Sequence, residues 1–188
     1  MEEATPNLKV RIIVVDDEPI SADAMSDLLE EGFRDSGLVS VRTAYNAATV
    51  LRMVEEEPCD VLVCDIQMPG MTGLELAKKL REMQPTLRII FLTSYDDFSY
   101  TYEAFRQNAA HYLLKTERDD VILGAIRQTI ESLLSQRRMT SRIKEAEQKY
   151  AQLLPIYRRE RLMQHVLGVS DHDDHDLFSP NLYLMVGR

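Results

Sequence analysis

Along the first 136 residues, short apolar runs alternate with segments in which apolar side chains recur every three or four positions. The runs, at 10–15, 39–43, 61–64, 89–92 and 112–114, are rich in Val, Ile and Leu, and three of them are almost continuously apolar. That is the pattern of strands covered on both faces. Between them a helical period spans about 19–33, 46–56, 72–83, 96–107 and 119 onward. Several of these segments start at Asp, Asn, Thr or Pro, which satisfy or dispense with the free N–H groups of a first turn. Five strands, each followed by a helix, predict an α/β fold: a doubly wound five-stranded parallel sheet in the order 2-1-3-4-5.

In such a sheet, function collects beyond the carboxyl ends of the strands. Asp16-Asp17-Glu18 follows the first run, Asp65 the third, Thr93-Ser94 the fourth and Lys115 the fifth. Only the short second run, the expected sheet edge, contributes nothing. A single polar residue after a strand signifies little, because loops are polar; the successive order carries the inference. Carboxylates gathered at neighbouring strand ends repel one another and raise at least one pKa unless a cation intervenes. Oxygen ligands with positions left for water and phosphate suit Mg²⁺. With the ammonium of Lys115 and the hydroxyl of Thr93 nearby, a group with several negative oxygens is neutralised from three sides. The chemistry this suits is phosphoryl transfer to a carboxylate, which forms an acyl phosphate.

Charge sharpens the division of the chain. The 188 residues have a net charge of -9, which excludes a basic nucleic-acid-binding surface over the whole molecule. Residues 1–136 hold 24 acidic against 13 basic side chains, whereas 137–164 hold three against eight. The expected organisation is a flexible tail at 1–8, a globular domain at 9–136, a helical linker at 137–168, and at 169–188 an acidic break with the start of a truncated further module. The length and the 45% hydrophobic content allow one full core plus a smaller appendage. No run of about 18 apolar residues occurs, and the first six residues are acidic where a secretory signal is basic and then apolar. A cytoplasmic protein with no membrane partner is expected. Cys59 and Cys64 bracket a strand that, at about 3.3 Å per residue, holds them too far apart for a disulfide, so they read as reduced, buried thiols.

Taken together, four pieces closely resemble the CheY-like receiver domain of two-component response regulators. They are Ile13-Val14-Val15-Asp16-Asp17-Glu18, the stretch from Val61 through Asp65-Ile66-Gln67-Met68-Pro69-Gly70-Met71-Thr72-Gly73 to Glu75, then Phe91-Leu92-Thr93-Ser94, and Ala110-His111-Tyr112-Leu113-Leu114-Lys115. The resemblance implies that Asp65 accepts a phosphoryl group from a sensor histidine kinase. It implies that Asp16, Asp17, Asp65 and the main-chain carbonyl of Gln67 hold Mg²⁺, and that Thr93 and Lys115 bind the phosphoryl oxygens. It makes Tyr112 the aromatic switch that reshapes the face formed by the fourth helix, fifth strand and fifth helix. Gln67 and Tyr95 would border the path of water to the phosphoryl group and slow its loss. One departure stands out: Thr116 occupies the position where the family has a cis proline after the lysine. An adjusted trans loop, or a strained one, is therefore expected at Lys115-Thr116.

Beyond Asp119 the helical pattern continues toward Pro155. Met139, Ile143, Ala146, Tyr150 and Leu153 alternate spacings of four and three, the seam of a coiled coil, and predict a homodimer. Arg137, Arg138, Arg142, Lys144 and Lys149 lie around it and read as a solvated face. Pro155 is expected to kink or restart the helix, with 156–167 as a second amphipathic helix ended by Gly168. The acidic, His-containing stretch 171–176 reads as a solvated loop. The stretch Leu92-Thr93-Ser94-Tyr95-Asp96-Asp97-Phe98, the long linker and its Leu154 to Gly168 continuation also resemble response regulators ending in an AraC-type DNA-binding domain. No helix-turn-helix fits in the remaining residues, so DNA is expected as a partner only through an output domain absent from this chain. The function expected is a non-enzymatic, phosphorylation-switched dimerisation module controlling transcription. Two rivals are a receiver and stalk acting on a protein partner, and a Mg²⁺-dependent phosphohydrolase. Gln67 argues against the latter, since it stands where a general acid would be needed.

Overall fold

The computed structural model describes residues 9–94, Tyr102, Ala104 and 109–167, with side chains described as far as Gln152. In chain order the elements are β1 (Val10–Val15), α1 (Pro19–Phe33), a short 3-10 turn (Arg34–Ser36), β2 (Val39–Ala44), α2 (Ala47–Glu56), β3 (Val61–Cys64), α3 (Gly73–Met83), β4 (Arg88–Thr93), β5 (His111–Leu114) and one long helix, Asp119–Leu167. The five strands form a single parallel sheet in the order β2-β1-β3-β4-β5, as the alternation predicted. Of the expected helix at 96–107, Tyr102 and Ala104 are helical and the rest lies outside the described residues.

Because successive side chains of a strand point to opposite faces, each continuously apolar strand supplies two cores. Ile13, Val15, Leu62, Cys64 and Phe91 pack with Val50 and Val54 of α2 and Leu76 and Leu80 of α3. Ile12, Val14, Val61, Val63 and Ile90 pack with Leu29 of α1 and with Ile122, Ile126, Ile130 and Leu133 of the long helix. The edge strand β2, by contrast, is only half-buried over most of its length. Two helix starts follow their sequence signals. Asn46 accepts from the Thr49 N–H at 2.9 Å. Thr72 and Glu75 form a reciprocal capping box, with Thr72 Oγ1 accepting from the Glu75 N–H at 3.2 Å and Glu75 Oε2 accepting from the Thr72 N–H at 2.9 Å.

The chain divides into two compact units between Met139 and Thr140. Arg137, read from sequence as part of a solvated basic face, belongs to the first unit. Its guanidinium pairs with the buried carboxylate of Asp60, which precedes β3, and also donates to the Lys9 carbonyl at 3.5 Å. Asp60 in turn accepts the Arg11 N–H at 2.9 Å, and Arg88 of β4 donates to Gln136 Oε1 at 2.7 Å. Pro155 neither ends nor restarts the helix: residues on both sides of it are helical up to Leu167. A proline removes one intrahelical bond, and the flanking turns keep theirs. The stretch 171–176 lies outside the described residues.

Candidate functional site

The strand register builds the site. Val15 lies opposite Cys64, so the next residues, Asp16 and Asp65, emerge side by side, held by the Asp65 N–H donating to the Val15 carbonyl at 2.9 Å. Thr93 lies opposite Leu114, and the Lys115 N–H donates to the Thr93 carbonyl at 2.8 Å. Four strands thus deliver Asp16, Asp65, Thr93 and Lys115 to one edge. Carboxylate oxygens of Asp16, Asp17 and Asp65 all lie within 4.8 Å of one another. Asp16, Asp65 and Thr93 are buried, and Asp17 is more open.

Lys115 Nζ lies 2.6 Å from Asp16 Oδ2 and 3.3 Å from Asp65 Oδ2. The second Asp65 oxygen accepts the Ile66 N–H at 2.8 Å, and Asp16 Oδ1 accepts the Glu18 N–H at 3.1 Å. Burial drives the Asp65 pKa above the ordinary carboxylate range; the neighbouring Lys115 opposes this and Asp16 adds to it. For Lys115 burial acts downward, but the hydrogen bond to Asp16 and the charges of Asp65 and Asp16 outweigh it, so its ammonium is held above its usual value. One ammonium among three carboxylates leaves negative charge in excess, the condition a hard divalent cation relieves. The donor set is all oxygen and faces an open side at Asp17, which fits Mg²⁺ with water retained.

The lysine reaches its partners although Thr116 replaces the family's proline, and the Lys115–Thr116 bond is trans. Of the other residues singled out from sequence, Gln67 is exposed beside the buried Ile66, and Tyr112 is half-buried against the α2 and α3 core. Tyr95 lies outside the described residues. Met139, Ile143, Ala146 and Tyr150 are all exposed on the long helix; Leu153 is helical, with its side chain outside the described set. Both cysteines are free and buried, and burial pushes the Cys59 thiol up to about 12 and that of Cys64 well above its usual value.

Sequence reasoning missed what Gly73 does. A Cβ there would meet the Asp65 carbonyl oxygen at 2.0 Å and Cys64 Sγ at 2.8 Å, and the Gly73 N–H donates to the Ile66 carbonyl at 2.9 Å. The start of α3 therefore lies directly against the backbone of the central aspartate. The available signal was a glycine at the first helical position after a capping Thr, where a side chain would ordinarily be tolerated. Gly70, in the intervening loop, has φ +80, a conformation that favours glycine.

A five-stranded parallel sheet of this order, with an acidic cluster and a lysine at its carboxyl edge, defines the CheY-like receiver class of signalling domains. Residues 12–127 match the family model of the response regulator receiver domain, and the chain belongs to that family. It is 30% identical over 156 residues to the response regulator protein TodT of Pseudomonas putida, covering 83% of this chain and 66% of that protein. It is also 30% identical to the uncharacterized transcriptional regulatory protein YesN of Bacillus subtilis, covering 67% of this chain and 34% of YesN. Among solved structures, a response regulator receiver domain protein from Clostridium thermocellum superposes with a TM-score of 0.59 at 26% identity, covering 65% of this chain and 95% of that one. The chain thus carries the receiver domain of a two-component response regulator, and its relatives are transcriptional regulators. Among the described residues no helix is long and apolar enough to cross a membrane.

Proposed function

We propose that Asp65 is the phosphoryl acceptor of a phosphorelay and that its modification controls transcription through self-association. The observation that carries this reading is one buried carboxylate, Asp65, flanked both by the Asp16 and Asp17 oxygens and by Lys115 Nζ at 3.3 Å. In the reaction an Asp65 oxygen attacks the phosphorus of a phosphohistidine on a sensor kinase. The P–N bond breaks, the imidazole leaves and takes up a proton, and an acyl phosphate remains on Asp65. Asp16, Asp17, Asp65 and the Gln67 carbonyl would hold Mg²⁺, which when bound neutralises charge on the transferring oxygens. Lys115 and the Thr93 hydroxyl hydrogen-bond to the same oxygens. When Thr93 shifts toward them, the half-buried Tyr112 turns further inward and reshapes the surface around β5.

The protein acts in this reading as a cytoplasmic switch without multiple turnover, since exposed Gln67 offers no acid to a leaving group. The transcriptional regulators among its relatives support an output in transcription, exerted through a DNA-binding module in the whole protein. The test supplies a small acyl phosphate with Mg²⁺ and follows intact mass. Wild type should gain one phosphoryl group and Asp65→Asn none. Equal labelling of the two would overturn the assignment.

A further inference from the structure

We infer that the long helix binds the same helix of a second copy as a parallel, in-register two-stranded coiled coil, clasped by Arg142 of one copy and the partner's Glu147. The inference deepens the self-association reading above and rests on it.

The helix changes character along its length. Ile122, Ile126, Ile130, Leu133 and Leu134 are buried in the first unit, but farther on the apolar side chains lie open: Met139 is 60% exposed, Ile143 48% and Tyr150 61%. With Ala146, also exposed, and Leu153 farther along the helix, they are spaced four, three, four and three residues apart. This mean period of 3.5 keeps one stripe facing a supercoiled partner helix, with Met139 and Ala146 in one kind of seam position and Ile143 and Tyr150 in the other.

The two borders of the stripe carry different charges, and this selects the occupant and its direction. On one border, just before Ile143 and Tyr150, stand Arg142 and Lys149; on the other, just after Met139 and Ala146, stand Thr140 and Glu147. In a parallel pair each border faces the opposite border of the partner, five residues on. Arg142 then meets the partner's Glu147, twice by symmetry. In an antiparallel pair each border faces its own kind, which brings Arg142 against the partner's Lys149. The stripe is complementary to itself in the parallel direction and self-repelling in the other. A second copy of this chain therefore satisfies it without any further partner.

The experiment measures dimerisation of the full chain by sedimentation equilibrium, with and without acyl phosphate and Mg²⁺, for wild type, Arg142→Glu, Glu147→Arg and the double exchange. Each single reversal should weaken association by roughly tenfold, because it turns two attractive pairs into two repulsive ones, and the double exchange should restore it. All these positions are exposed, so folding is not at stake. Oxidised Ala146→Cys should cross-link to itself, with wild type as a blank because Cys59 and Cys64 are buried. If wild type dimerises but the double exchange stays as weak as the singles and Ala146→Cys fails to cross-link, the parallel pairing is wrong while self-association stands. A monomer at every concentration, with or without phosphodonor, overturns both.

Discussion

The two ends of the central strands each bury an aspartate against cations, yet the two clusters have opposite chemistry. At the carboxyl edge, one ammonium faces three carboxylates, and burial holds Asp65 above its normal pKa. At the amino edge, two carboxylates face two guanidinium groups, with Asp60 taking Arg137 on one oxygen and the Arg11 N–H on the other, and Glu57 Oε1 lying 3.3 Å from Arg11 Nη1. The first cluster is left with negative charge in excess, which a divalent metal ion can relieve. The second is balanced in charge by the protein alone and ties the long helix to β1 and β3. Burial of an acid beside a base does not mark a reactive site; an unbalanced count of charges does.

The contrast can be broken most forcefully through stability. Asp60→Ala removes the buried carboxylate shared by the Arg137 guanidinium and the Arg11 N–H and should cost about 3 kcal/mol. Asp65→Asn should leave stability unchanged or higher. The sign follows from the raised pKa: a carboxyl whose folded pKa lies above its unfolded value favours folding below that range and opposes it at neutral pH, where it must ionise. Urea unfolding at pH 7 without divalent cations checks both, and equal losses for the two variants would dissolve the distinction.

A smaller effect sharpens it. Mg²⁺ at ten times its dissociation constant should stabilise the wild type by about 1.4 kcal/mol. The gain should vanish in Asp17→Asn and persist in Asp60→Asn, as read by thermal melting across a Mg²⁺ titration. The smallest effect concerns the open side of the acidic edge, where Tyr95 and Gln67 are proposed to border the approach of water. Tyr95→Ala should then speed loss of the phosphoryl group several-fold, roughly 1 kcal/mol of barrier. Identical decay of the phosphorylated wild type and variant would remove Tyr95 from that role.

Much of this was legible along the chain because its signals are local. Val10–Val15 and Val61–Cys64 are apolar throughout and end at acids, and Asn46 and Thr72 mark helix starts, so both the elements and the residues after them could be read in order. The seam from Met139 to Tyr150 was equally visible as a period. Tertiary structure alone decided the rest, because the contacts join residues far apart in sequence. Strand register sets Lys115 between Asp16 and Asp65 without the expected proline; close approach of α3 to β3 makes Gly73 obligatory; and Arg137, the mark of a compositional boundary, turns back to Asp60 across 77 positions. Periodicity reports which face of an element is apolar, whereas the pairing of charges depends on distances that exist only once the sheet has assembled.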